Sequence, residues 1–176
     1  MNNNLIITIG REYGTGGREI GQKLALRLGI PFYDRELITR AAKKTGFDEK
    51  LFEQLDKRAT NSFLYSLTMF GSVGLNGMSL TDQLYLAQSN VIREMAEGSS
   101  CVIVGRCADH VLRDFSNRFD FFIHGSIEDR VKRIQSCGDY EIEGKTPQAA
   151  LEKMDKQRST YYNYYTGKVW GKCDHY

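Results

Sequence analysis

Proline is nearly missing from this chain of 176 residues, which has two against 17 glycines. With 41% hydrophobic and 26% charged residues, that scarcity excludes collagen-like and disordered chains and leaves a soluble globular protein. An excess of charge of one sign is also lacking. The 24 basic and 22 acidic residues leave a net charge of +2, so no bulk field favours nucleic acid or an anionic membrane, and an anion site has to be local. Cysteines are few and scattered: Cys101, Cys107, Cys137 and Cys173 form no CxxC pair and meet no paired histidines. That pattern gives no zinc site and reads as buried or incidental thiols of a protein in the reducing cytoplasm. The start, Met-Asn-Asn-Asn followed by Leu5 to Ile9, has neither the basic region nor the apolar length of a signal peptide. One uncharged stretch, Ala59 to Thr81, is about long enough to cross a bilayer, but Asn61, Ser62, Ser66, Ser72, Asn76 and Ser79 interrupt it too often for a lipid-facing helix. Its glycines Gly71, Gly74 and Gly77 suit an interface, leaving room for a homodimer, or a hinge-like lid. The expectation is one domain over residues 1–176, with neither nucleic acid nor membrane among its partners.

What is present alternates in period. Leu5 to Ile9 is a short isoleucine-rich run that ends in a glycine cluster, as a buried strand running into a functional loop would. Ile20, Leu24 and Leu28 then recur at helical spacing, with Gly29 as a stop. Ile30 to Tyr33 reads as a second strand and Arg35 to Lys44 as a second helix closed by Gly46. An all-helical insertion is expected over residues 47–97, ending in a helix from Asp82 to Glu97 with Thr81 as N-cap and Gly98 as stop. Cys101 to Val104 and Phe119 to His124 are the third and fourth strands, both read as buried. Ser126 with Asp129 forms a capping box, and Thr146-Pro147 opens the last helix. The pattern is that of a parallel α/β fold. No fifth strand precedes Tyr176, which is odd for this architecture and leaves a missing final strand and helix as one explanation.

The sharpest chemical signal is Gly10-Arg-Glu-Tyr-Gly-Thr-Gly-Gly-Arg-Glu19, between the first strand and its helix. Glycines let successive N–H groups curl around phosphate oxygens, and the helix N-terminus adds positive charge. Arg11 and Arg18 supply forked donors. A Walker A loop has lysine and then a hydroxyl after its last motif glycine; here Gly17 and Arg18 stand in those places, and Arg11 stands where the first glycine would be. Thr15 is the loop's one hydroxyl. A dinucleotide-binding loop is the competing reading, because Asp34 follows at the distance of a ribose-binding acid, but its third glycine would fall on Glu19. Arg106 leaves the third strand at the sheet edge where α/β ligands bind, and Arg158 stands where a lid could carry it over a nucleotide. None of His110, His124 and His175 fits a general-base role.

The segments I-T-I-G-R-E-Y-G-T-G-G-R-E-I-G, I-P-F-Y-D-R-E-L-I, V-I-V-G-R-C-A-D and K-Q-R-S-T-Y-Y-N-Y-Y-T-G-K-V-W-G, in this order, resemble the cytidylate kinase-like family of P-loop proteins. The resemblance implies an α/β P-loop NTPase fold in three layers, with a parallel central sheet, a helical acceptor-binding insertion and a lid over residues 134–167. It implies that Gly14, Thr15, Gly16, Gly17 and Arg18 are the phosphate loop, flanked by Arg11 and Glu19. Arg106 would meet the acceptor phosphate, and Asp34 to Arg40 would be the acceptor segment, although Arg35 and Glu36 replace the serine and glycine of that motif. Arg130 and Arg133 match the basic positions before the lid and Arg158 the lid arginine, so that Arg18 and Arg158 would be catalytic. ATP and magnesium are the cofactors this resemblance implies, and nucleotides the substrates.

The expected activity is transfer of the ATP γ-phosphoryl group to a nucleoside monophosphate, CMP-like, or to another small phosphate acceptor. Such transfer needs alignment, exclusion of water and positive charge over the equatorial oxygens, which a glycine loop and converging arginines provide. The missing lysine and hydroxyl keep open a nucleotide-binding regulatory module without catalysis.

Overall fold

The computed structural model describes residues 4–34, 79–138, 140 and 146–176. The isoleucine-rich run forms β1 (Ile6–Arg11), buried from Ile6 to Ile9 as a strand covered on both faces must be. Then follow α1 (Gly17–Leu28), β2 (Phe32–Tyr33), α2 (Leu80–Gly98), β3 (Cys101–Val104), the one-turn α3 (Ala108–Val111), β4 (Arg118–Ile123), α4 (Ile127–Ser136), α5 (Pro147–Thr166) and a 3-10 turn at Cys173–His175. The four strands make one parallel sheet in the order β2-β3-β1-β4. Ile6 lies opposite Cys101 on one side and Arg118 on the other, which makes β1 and β3 the central strands. Their C-terminal loops leave the same sheet edge, and Gly105 N–H donates to Ile9 O at 3.0 Å to hold them together.

Ile7, Ile9, Val102 and Val104 face α1, whereas Ile6, Cys101 and Ile103 face α2 and α3 through Ile92, Ala96, Ala108 and Leu112. The face that α1 presents differs from the one its apolar spacing suggests. Gly17, Gly21 and Ala25 are buried, while Ile20 and Leu28 stay 45% and 44% exposed. A Cβ on Gly21 would stand 2.9 Å from Val104 Cγ2, so the helix lies too near the sheet for any but small residues.

Several boundaries move by one or two residues. β1 extends through Arg11, α2 is capped by Ser79 rather than Thr81, and β4 begins at Arg118. Ser79 prevails because its hydroxyl reaches Asp82 N–H at 3.1 Å. β3 is wholly buried as expected; β4 is not, since Phe119 and Phe121 are 54% and 51% exposed. Among the described residues β4 is an edge strand with no fifth strand beside it. Ser126 and Thr146 cap α4 and α5 as their motifs suggest. The tyrosine-rich stretch is the second half of α5, which runs unbroken to its Gly167 cap. The helix expected from Arg35 to Lys44, and most of the insertion expected before α2, fall outside the described residues. Among the described residues, no helix is long and apolar enough to cross a membrane.

Candidate phosphate-binding site

Between β1 and α1 the chain turns through Gly14 and Gly16, both left-handed at φ 81° and 77°. Gly16 caps α1 without a side-chain bond, so the first-turn N–H groups of the helix and its partial positive charge face the loop. Two neighbouring elements fix the loop's entry. Glu12 N–H donates to Ile123 O at 3.1 Å, and Glu12 Oε2 accepts Gly125 N–H at 3.0 Å. Tyr13 is held from both sides: its N–H donates to Asp155 Oδ1 and its carbonyl accepts from Arg130 Nε, each at 2.7 Å. Arg130 and Asp155 close the ring with an ion pair. Burial pushes the Asp155 carboxyl up, against the pull of Tyr13 N–H and Arg130. Thr15 turns its hydroxyl back onto Glu12 O at 2.9 Å.

Apart from Arg130, which is engaged by Tyr13 O and Asp155, the described basic residues singled out in the sequence separate into three groups. Arg11, Arg106 and Arg158 line one cavity of about 110 Å³ between the ends of β1 and β3 and helix α5, with Asp109, Gln157, Tyr161 and Tyr162 also in its wall. Arg158 donates to Arg11 O at 3.1 Å and lies 5.2 Å from the centre of the Tyr13 ring. The Arg106 guanidinium stands 5.8 Å from the centre of the Tyr161 ring. A second group guards the loop itself. Arg133 presses on Gly16, where an added Cβ would come within 2.7 Å of its Cζ, and pairs with Glu19, which also takes Lys23 at 2.6 Å. Those two cations, Lys23 foremost, hold the Glu19 carboxyl below the usual range, whereas a hydrogen bond to Tyr140 raises Arg133. The third group is Arg18 alone, whose Nε and Nη2 both reach Asp34 Oδ2 at 2.7 Å. Arg18 and Asp34 are therefore not in the cavity wall with Arg106 and Arg158, and Arg40 lies outside the described residues.

After β3, Gly105, Arg106 and Cys107 are three successive left-handed residues, at φ 80°, 55° and 55°. Two of them are not glycine, a costly conformation of the kind held at functional sites by surrounding structure. The Arg11 guanidinium fills the space a Cβ on Gly105 would need, which brings Arg11 and Arg106 to one side of the cavity. Cys107 is buried and its thiol pushed up, so it packs rather than reacts. Tyr162 O–H donates to Asp109 Oδ2 at 2.6 Å; burial raises the Asp109 carboxyl. No group of three or more His, Cys, Asp or Glu side chains able to hold a metal occurs among the described residues.

Sequence reasoning gives Asp155 and Tyr13 no role of their own, and Tyr161 and Tyr162 stand out there only as two of four tyrosines that suggest a packed, partly wet surface. The available signal was the spacing of Asp155, Arg158, Tyr161, Tyr162 and Tyr165 along one face of α5. That face reaches Tyr13 N–H, Arg11 O, the Arg106 guanidinium, Asp109 and, through Tyr165 O–H, Asp82 Oδ1 at 3.2 Å.

Among curated proteins none matches the chain. An uncharacterized protein from Eubacterium ventriosum has a solved structure that is similar at 30% identity and TM-score 0.70, covering 98% of this chain and 84% of that one. A gluconokinase from Sinorhizobium meliloti shares the fold at 14% identity and TM-score 0.51, covering 89% of this chain and 76% of its own. The parallel sheet, with a glycine loop between its first strand and helix, is thus a P-loop kinase fold. The sequence pattern of the cytidylate kinase-like family matches residues 6–176, nearly the whole chain, and the protein belongs to that family.

Proposed function

We propose that the protein is a phosphotransferase that moves the γ-phosphoryl group of ATP to a small phosphate-bearing acceptor, with CMP-like nucleoside monophosphates the first candidates. The observation that carries this reading is the meeting of Arg11, Arg106 and Arg158 in one cavity beside the glycine loop. Three guanidinium-bearing side chains in one cavity wall suit the phosphate of an acceptor, which arginine's forked donors match. The loop fits the donor in its backbone: Gly14 and Gly16 are left-handed and lead into the N-terminus of a helix of 12 residues, where N–H groups and the helix dipole favour an anion. Magnesium at such sites rides largely on substrate phosphates and water, where it neutralises charge as the phosphoryl group moves. Arg106 would orient the acceptor, Arg158 would span acceptor and loop, and Arg133 would release Glu19 to take a donor phosphate. Nothing in the loop has to act as a base, because the transfer is governed by positioning and charge.

A second reading, a nucleotide-binding module without catalysis, is favoured by one feature. Arg18, which follows the glycine in the lysine place, is spent on Asp34 rather than directed at the cavity. The same pair weakens the dinucleotide reading, since Asp34 would have to leave Arg18 to reach a ribose. Phosphoryl transfer from magnesium ATP to CMP, dCMP, UMP, AMP and GMP, measured beside an ATP-binding titration, separates these. Transfer to an acceptor supports the kinase, and tight binding with no product on the panel supports the regulatory module. Binding of NAD in preference to ATP overturns both. Site of action in the cytoplasm and self-association through the uncharged segment belong to the same proposal and are checked by fractionation and sedimentation.

A further inference from the structure

Helix α5 touches both halves of the site with one face. Its Arg158 lines the cavity and bonds to Arg11 O, while Asp155, one turn earlier, holds the loop backbone through Tyr13 N–H at 2.7 Å. That bond lies at a junction packed from three elements: Tyr13 is 7% exposed and clusters with Ile134 of α4 and Leu151 of α5. Arg130, 6% exposed, closes the ring by pairing with Asp155 while donating to Tyr13 O. The carboxylate thus does two things at once. It fixes where the glycine loop begins, and it sets the distance between that loop and the helix bearing Arg158. A charged acceptor on a backbone donor is a strong contact, here with the Asp155 side chain 19% exposed, and phosphoryl transfer is sensitive to misplacement of an ångström.

We propose that Asp155 is a positioning residue that ties the glycine loop to the helix carrying Arg158 and so keeps the donor-binding and acceptor-binding cations in register. The inference rests on the kinase reading above. It assigns Asp155 no contact with either substrate; its effect passes through Tyr13 and Arg158.

The test is a double-mutant cycle on the full chain, with Asp155→Asn, Arg158→Ala and the pair, scored as kcat per triphosphate-binding site. Asparagine keeps the shape and one acceptor oxygen but loses the charge that holds Arg130. Asp155→Asn is expected to bind one triphosphate per chain, to lower kcat at least tenfold and to change the acceptor KM less than threefold. The pair is expected to be no more than threefold slower than Arg158→Ala, because both changes break one linkage. A merely structural role would lower the melting temperature and the number of binding sites while leaving kcat per site unchanged, and its effect would multiply with that of Arg158→Ala. Either of those results overturns the proposal. Should Asp155→Asn not fold, Asp155→Glu keeps the ion pair and moves the carboxylate by one methylene; wild-type kcat in that variant overturns the proposal equally. Wild-type protein that binds ATP and transfers nothing refutes the kinase reading instead, and that result is read before any variant is made.

Discussion

Adding one methyl group to Gly14 tests whether the loop is built into the core as the structure has it. Gly14 has φ 81°, and a Cβ there would lie 3.0 Å from Arg130 O, 3.0 Å from Ile134 Cγ2 and 3.1 Å from Leu151 Cδ2. The first of these is helix backbone and the other two belong to buried side chains, so none can swing aside cheaply. The left-handed conformation costs an L-residue roughly 1–2 kcal/mol, and overpacking a tight site costs about 1–3 kcal/mol. Gly14→Ala should therefore lose about 2–5 kcal/mol, a large part of the roughly 5–15 kcal/mol that holds a domain together. At about 2–4 °C per kcal/mol for a chain of this size, the melting temperature should fall by roughly 4–20 °C. Gly29→Ala is the control: φ is 64° there too, but nothing lies within 4 Å of the added carbon. It carries only the conformational cost of about 1–2 kcal/mol. Thermal melts followed by circular dichroism read both. A Gly14→Ala protein that melts at or above the temperature of Gly29→Ala would refute the packing described for the loop.

Arg18→Ala takes the guanidinium from Asp34, whose side chain is 7% exposed, and should cost about 1–3 kcal/mol of stability; in a urea-melt cycle with Asp34→Asn the two losses should be less than additive, and additivity would mean that the pair is not coupled. Arg106→Ala should raise the acceptor KM tenfold or more, about 1.4 kcal/mol of binding, with ATP affinity nearly unchanged in a calorimetric titration; an equal loss of ATP affinity would place Arg106 on the donor instead. Burial, aided by Arg113, depresses His110 below its ordinary value of 6.5, so the unfolded chain binds the proton first as the pH falls. The stability His110 contributes is present above about pH 6.5 and is lost as the pH drops through its lower folded value. His110→Asn should flatten the fall in stability between pH 7 and 5, and an unchanged slope in denaturant melts would show that other groups carry it.

The order of elements was legible because each was written in a local pattern: the β-branched run of Ile6 to Ile9, the buried Cys101 to Val104, the Ser126 and Thr146 caps, the glycine stop at Gly29. A cap or an apolar run acts over a few residues, so neighbours in sequence suffice to reveal it. The glycine loop was legible for the same reason, and so was the placing of Arg106 at the end of a strand. The apolar stripe of α1 misled because side-chain spacing gives a face, whereas the sheet's nearness to Gly21 decides which face can approach. β4 misled similarly, since an apolar strand is buried only when something lies on both sides, and the sequence of Phe119 and Phe121 does not say what their neighbours are.

For the site, the sequence by itself determined which cations were available and where the backbone could cradle an anion. Only the tertiary structure decided how those cations are shared out: Arg18 to Asp34, Arg133 to Glu19, Arg130 to Asp155, and Arg11, Arg106 and Arg158 to one cavity. The partners stand up to 147 residues apart, as Arg158 does from Arg11. Pairing between charges depends on distance in space and on burial, and no local pattern encodes either.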